Sequence, residues 1–242
     1  MISVAMASYN GEKYIEEQIR SILSNLSAED ELLISDDGST DGTIPIIEKL
    51  SEFCRASNGA RISLYEGPRK GIIANFESVI AKCRGDVIFL SDQDDVWAPN
   101  KVERVMETFE KTGATLVMHD AKVYDETLNQ VWMDSFFAYR GSKPGFWNNV
   151  IKNRYMGCCM AFKRTMAEKM LPIPKNIQMH DQWLGLMNDL YGTKTVLLPE
   201  CLIAYRRHED ANSDFSHHTL PVMFHHRCIL MKEIIKRCLH NQ

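Results

Sequence analysis

The feature that most constrains this chain is an alternation in its first hundred residues. Short apolar runs of β character are each followed by a polar cluster and then by a helical pattern. Residues 2–7 predict a strand, and within 12–26 Tyr14, Ile15, Ile19, Ile22 and Leu23 recur at helical spacing. Residues 31–35 predict a second strand, 36–42 a turn cluster and 43–54 a helix. A strand at 61–65, a helix at 73–82 and a buried strand at 86–91 follow, and Pro99 opens another helix. This order predicts an α/β fold: a Rossmann-like, mostly parallel central sheet flanked by helices. Such sheets bind ligands beyond the carboxyl ends of their strands. The clusters at 8–10, 36–41 and 91–95 all fall there.

The second half is less regular. Strands are expected at 114–124 and 157–162, an irregular excursion at 125–145, a helix at 182–191, and strands at 194–198 and 202–207. A basic amphipathic helix is expected at 220–239, with Arg227, Lys232, Lys236 and Arg237 set against Ile229, Leu230, Ile234 and Ile235. No repeat or linker interrupts the chain, so residues 1–242 are expected to form one domain with halves at 1–113 and 114–214 and a terminal helix in 215–242. The net charge of −4 argues against a nucleic-acid partner. Seven cysteines without a CxxC spacing fit reduced thiols and a cytoplasmic location. No apolar run approaches the roughly 20 residues that span a bilayer, and the N-terminus lacks the basic leader of a secretory signal. The terminal helix is a candidate for peripheral contact with the inner face of the cell membrane, for packing on the core, or for a homodimer contact.

Chemistry concentrates in a few places. Asp92, Asp94 and Asp95 follow a predicted strand, and carboxylates so close repel one another unless a cation joins them. Oxygen ligands of this kind favour Mg²⁺ or Mn²⁺, although a solvated acidic turn ahead of the next helix has the same composition. The stretch from Asp37 through Ser39, Asp41 and Gly42 to Glu48 nearly matches a calcium loop, but a strand rather than a helix precedes it. Asp41 or Thr40 can cap the following helix, while Asp37 can accept a hydrogen bond from a nucleobase imide. Asp181 is either a cap of its helix or a general base. Histidines 217, 218, 225 and 226 with Cys228 lack a clean zinc spacing.

Four pieces in order, Ala7-Ser-Tyr-Asn10, Asp36-Asp-Gly-Ser-Thr-Asp41, Asp92-Gln-Asp-Asp-Val-Trp97 and His180-Asp-Gln-Trp183, resemble family 2 glycosyltransferases. Residues 71–77, with 91–97, look like the bacterial rhamnosyltransferase-like subgroup. The resemblance spans roughly residues 1–213. It implies a GT-A fold, an inverting transfer of a sugar from a nucleoside diphosphate (dTDP-rhamnose or a UDP-hexose), and a glycan or lipid-linked glycan acceptor. It places Ala7, Ser8, Tyr9, Asp37, Gly71, Asn75, Asp92, Gln93, Asp95 and His208 around the nucleotide and donor. Asp94 and Asp92 would hold Mn²⁺ or Mg²⁺, and Asp181 would be the base. The segment Tyr205-Arg-Arg-His208, with Asn212, resembles the stretch that closes over the diphosphate. Competing readings are a metal-dependent nucleotidyltransferase or phosphohydrolase, and a non-catalytic GT-A-like binding protein.

Overall fold

The computed structural model describes residues 1–57, 59–192, 194–208 and 220–240. Its first half alternates β1 (Ile2–Ser8), α1 (Ile15–Leu23), β2 (Glu31–Asp36), α2 (Thr43–Ala56), β3 (Arg61–Glu66), α3 (Ile72–Ile80) and β4 (Val87–Ser91). All residues of β1, β2 and β4 are buried. Strands covered on both faces lose the polar alternation of a half-solvated sheet, which is why they read as continuous apolar runs. On α1, Ile15, Ile19 and Ile22 form the stripe that closes the sheet. Each such side chain contributes about 1.5–3 kcal/mol on burial.

The second half continues with β5 (Val96–Trp97), α4 (Lys101–Thr112), β6 (Leu116–Tyr124), β7 (Val131–Met133), α5 (Phe136–Arg140) and α6 (Phe146–Ile151). After these come β8 (Met160–Lys163), α7 (Ala167–Met170), α8 (His180–Tyr191), β9 (Thr195–Arg206) and α9 (Leu220–His240). The strand order is β3-β2-β1-β4-β8-β6-β9-β5, with β7 paired to β6. From β3 to β4 every pairing is parallel. Antiparallel β8 then joins β4 to β6, whose pairing with β9 is parallel again. Short β5 turns back antiparallel onto β9, pairing Val96 with Ala204 and Trp97 with Ile203. Residues 92–95 are thereby held between the end of β4 and the end of β9.

Local departures from expectation have physical causes. The two strands expected at 194–198 and 202–207 are one strand, because the sheet absorbs Pro199 as a bulge. His119 pairs with Leu198 and Asp120 already with Cys201. Pro99 lies two residues before α4 rather than in its first turn. Residues 157–159 form a 3-10 turn before β8 begins. The excursion at 125–145 contains β7 and α5, the latter capped by Ser135, whose hydroxyl accepts from the Ala138 N–H. Along α9, Leu230 and Ile234 are buried against the rest of the chain. Arg237 donates to the carbonyls of Lys169, Leu171 and Pro172. Among the described residues no helix is long and apolar enough to cross a membrane.

Candidate functional site

The carboxyl ends of β1, β2 and β4 meet in a hydrogen-bonded floor. The Asp36 carboxylate accepts from the Ser8 hydroxyl at 2.8 Å, the Ser39 hydroxyl at 2.6 Å and the backbone N–H groups of Gly38 and Ser39. From α3, the Asn75 amide donates to the carbonyls of Ser8 at 3.2 Å and Ser35 at 2.8 Å, clamping β1 to β2. Its Oδ1 is buried without a partner among the described residues. Gly67 passes directly beneath, where an added Cβ would lie 2.7 Å from both the Asp36 carbonyl and Asn75 Oδ1. Gly67→Ala is therefore expected to destabilise the fold by about 1–3 kcal/mol through overpacking. The measurement is a lower denaturant midpoint at unchanged m-value.

Asp37 sits at the edge of this floor. Its carboxylate accepts from the N–H of Arg69 at 2.6 Å and of Gly71 at 2.7 Å, so it holds the loop that launches α3. Gly71 has φ +84°, a conformation that costs glycine little. A carboxylate has about four lone-pair sites, which leaves Asp37 acceptor capacity beyond these two strong bonds. Tyr9 is 56% exposed at the end of β1. Gln93 reaches back to it, accepting from the Tyr9 N–H at 2.8 Å and donating to its carbonyl at 3.0 Å. Ala7 and Ser8 are buried, the Ser8 side chain faces Asp36, and the Ser8 carbonyl accepts from the Asp37 N–H at 2.9 Å as well as from Asn75.

The acidic loop follows. Oxygens of Asp92 and Asp95 and the Cys158 sulfur all lie within 4.8 Å of one another. Asp95 is fully buried: one oxygen accepts the Arg206 N–H at 3.0 Å, and the other has no partner among the described residues. Asp94 instead points to His208, whose Nε2 is 2.9 Å from Oδ2. Burial pushes Asp92 up to about 7, reinforced by the charges of Asp94 and Asp181. Burial also raises Asp95 well above the carboxylate range, again with its neighbours' help. Hydrogen bonding with Cys159 and burial hold the Cys158 thiol well above its usual value. Sulfur is a soft donor, and the carboxylate oxygens are the hard ligands that Mg²⁺ and Mn²⁺ take. Crowded carboxylates, an orphaned Asp95 oxygen and adjacent Asp94 fit Mg²⁺ or Mn²⁺.

Arg206 ties the loop in place. Its guanidinium donates to the Asp94 carbonyl at 2.8 Å, to the Glu126 carbonyl at 2.6 Å and to the Glu17 carboxylate at 2.6 Å. It also lies 4.8 Å from the Tyr14 ring centroid, and that ring is 4.9 Å from the His208 ring. Behind the loop, fully buried Lys101 donates to the Cys158 carbonyl at 2.9 Å and sits 3.8 Å from the Trp97 ring centroid. Burial lowers its pKa to about 8.

Asp181 lies in the first turn of α8, whose cap position is Met179, so it is a first-turn residue rather than the cap. It is 5% exposed. Its Oδ1 accepts from the Gln182 N–H at 2.6 Å and from Asn153 at 3.0 Å. Burial raises it to about 6, against the pull of those two bonds and of Arg140. Its charge is one of those that raise Asp92. A Cβ added at Gly157 would lie 3.6 Å from that of Asp181, and the next residue, Cys158, clusters with Asp92 and Asp95. Asp181 therefore lies beside the acidic loop although 89 positions separate it from Asp92.

The sequence does not single out Asp36, Lys101, Cys158 or Asn153, and it offers Arg206 only as part of the Tyr205–His208 segment expected to close over the diphosphate. Nothing local marks Lys101, which stands between Pro99-Asn100 and Val102-Glu103-Arg104 like an ordinary helix-start lysine. Asn212, His217 and His218 lie outside the described residues.

A parallel half-sheet running into a mixed half, with an acidic loop at the junction, is the GT-A architecture of glycosyltransferases. The chain belongs to Glycosyl transferase family 2, which it matches over residues 3–171. It is 29% identical to the dTDP-rhamnosyl transferase RfbG of Shigella flexneri, over 85% of this chain and 72% of that protein. It is also 29% identical to an uncharacterized glycosyltransferase of Nostoc sp., over 71% of this chain but only 53% of the relative. In structure it resembles Staphylococcus aureus TarS 1–349 in complex with UDP-GlcNAc, with TM-score 0.68 and 16% identity over 93% of this chain and 63% of TarS. The mannosyltransferase PcManGT of Pyrobaculum calidifontis, in complex with GDP-Man and Mn²⁺, gives TM-score 0.62 and 18% identity over 84% of this chain and 56% of that one. The chain therefore spans between about half and about three-fifths of the Nostoc relative and of these two solved structures.

Proposed function

We propose that this chain transfers a sugar, with inversion, from a nucleoside diphosphate to a hydroxyl of a glycan or lipid-linked glycan acceptor in bacterial surface-polysaccharide synthesis. The observation that carries the reading is that Asp181 packs against Gly157, the residue before Cys158, whose sulfur lies within 4.8 Å of the Asp92 and Asp95 oxygens. Residues 1–113 form the donor side, 114–214 the acceptor side, and the whole of 1–242 one unit. Exposed Tyr9 and the backbone of Ala7 and Ser8 face the nucleotide, Asp37 reads the base, and Gly71 and Asn75 shape that rim. Gln93, Asp95 and His208 line the donor beyond it. The likeness to RfbG favours dTDP-rhamnose, and that to TarS makes a UDP-hexose the second choice.

Asp92 and Asp94 would hold Mg²⁺ or Mn²⁺, which supplies Lewis-acid stabilisation of the charge on the departing diphosphate. The anomeric carbon becomes oxocarbenium-like as its bond to the diphosphate oxygen lengthens. Asp181 removes the proton from the acceptor hydroxyl as that oxygen attacks the opposite face. One displacement inverts the centre and requires no carboxylate nucleophile.

Two measurements test this. A thermal-shift panel of nucleotide sugars with Mn²⁺ should find a donor that stabilises by about 2.7 kcal/mol at one hundred times its Kd, which is roughly 5–10 °C for a chain of this size. Product analysis should then give intact nucleoside diphosphate and glycosylated acceptor. Nucleoside monophosphate or pyrophosphate would instead identify a nucleotidyltransferase or phosphohydrolase. Because a base must be ionised, the acid limb of kcat/KM should fall near pH 6, tenfold per unit below it. Asn153→Ala deletes a hydrogen bond that favours the carboxylate, so that limb should move to higher pH. A limb that stays put would remove Asn153 from the account of Asp181.

A further inference from the structure

Two apolar faces run along α9. One, with Leu230 and Ile234, is buried against the rest of the chain. The other carries Phe224, Cys228, Ile235 and Leu239, whose spacing of i, i+4, i+11 and i+15 puts them on one side of a helix. Phe224 is 69% exposed and Leu239 67%. Exposed Lys232 and Lys236 border that stripe. The helix's one carboxylate, Glu233, is largely covered and bonded to Lys236 at 2.7 Å. Helix α6 extends the apolar surface with Trp147, 67% exposed, and Ile151, 63% exposed. Arg227 of α9 donates to the Ile151 carbonyl at 2.8 Å and so locks the two helices together.

Charge is divided along the chain in the same sense. Residues 1–134 hold 24 Asp and Glu against 13 Lys and Arg, whereas residues 135–242 hold 8 against 15. Between Asp134 and Glu168 there is no carboxylate side chain, while Arg140, Lys143, Lys152, Arg154, Lys163 and Arg164 fall there. A chain of net charge −4 therefore divides into a first part of net −11 (13 − 24) and a second of net +7 (15 − 8), and the second exposes Trp147, Ile151 and Phe224.

We propose that the face built by α6 and the outer stripe of α9 docks on an anionic lipid bilayer. Trp147, Ile151, Phe224, Ile235 and Leu239 enter the boundary between headgroups and acyl chains, where aromatic side chains are favoured. Lys232 and Lys236 meet lipid phosphates. A second copy of the chain fits worse, because two-fold pairing of this face sets like-charged lysine borders against each other. The docking needs neither donor nor turnover. Donor-induced stabilisation, measured on the same protein without lipid, reports separately on the sugar-transfer reading.

The test is sedimentation of the full chain with phosphatidylcholine vesicles, with and without phosphatidylglycerol. Binding is expected only with the anionic lipid and should weaken as salt rises. Lys232→Gln combined with Lys236→Gln should lower the partition coefficient about twenty-fivefold, at roughly fivefold per lysine. Trp147→Ser with Phe224→Ser should abolish binding and leave the melting temperature unchanged, since both side chains are exposed. Equal binding to neutral vesicles, no binding to either, or unaltered binding of both double variants would overturn the proposal. So would a lipid-free dimer, seen by light scattering, that Phe224→Ser disperses.

Discussion

Asp181→Asn is expected to lower kcat by about 10²–10⁴-fold, the usual contribution of a positioned general base, while leaving donor-induced stabilisation intact. The same change should make the protein more stable above pH 6. Burial raises the Asp181 carboxyl from 3.8 to about 6 in the folded chain, so the folded state binds its proton more tightly than the unfolded state does. The stability that follows is present below the unfolded value and is lost as pH climbs through about 6. At neutral pH the ionised carboxylate carries a burial penalty of up to about 3 kcal/mol, which the neutral amide avoids. Steady-state kinetics and melting curves on one preparation would read both effects. A variant that is slower and also unstable would mean that Asp181 serves the fold. Unchanged turnover would mean that the base lies elsewhere.

Arg206→Met should cost about 2–5 kcal/mol, because two backbone carbonyls lose their buried donor at about 1–3 kcal/mol each, while the ion-pair partner Glu17 is 59% exposed and stays hydrated. The side chain is almost fully buried, and its guanidinium satisfies the Asp94 and Glu126 carbonyls and the Glu17 carboxylate together. Methionine fills much of the volume but leaves both carbonyls without their donor. The melting temperature should fall by about 10 °C, and the donor should bind more weakly because the Asp94 backbone loses its anchor. A loss below about 1 kcal/mol would show that water replaces the guanidinium and that the loop holds itself.

The two halves of the chain were unequally legible for physical reasons. From β1 to β4 the elements are local: β1, β2 and β4 are runs of five to seven buried residues, each followed by a polar turn and, with half-buried β3, separated by helices with one apolar stripe. Periodicity reports such elements directly. In the second half the decisive contacts are long-range. Arg206 meets Glu17 across 189 positions and His208 meets Asp94 across 114, and nothing in either neighbourhood announces the other. Pro199 broke the expected strand because a bulge in β9 depends on its partner β6. The acidic loop was visible as a triplet, yet its internal division was not. Arg206 and β5 draw Asp95 inward beside Asp92, and His208 turns Asp94 aside. Asn75 and Asp37 are expected from the resemblance to lie around the nucleotide, but their service as a clamp and as a loop anchor depends on the carbonyls and N–H groups that the fold brings to them.

The central claim is that the acidic loop and Asp181 work on one bound donor. It is tested most directly by a crystal structure with Mn²⁺ and the stabilising nucleotide sugar, using the anomalous signal of manganese. The expected result is a peak between the diphosphate and the carboxylates of the 92–95 loop, with Asp181 on the opposite side of the sugar's anomeric carbon. A peak away from that loop, or a donor whose reacting carbon lies beyond the reach of Asp181, would contradict it.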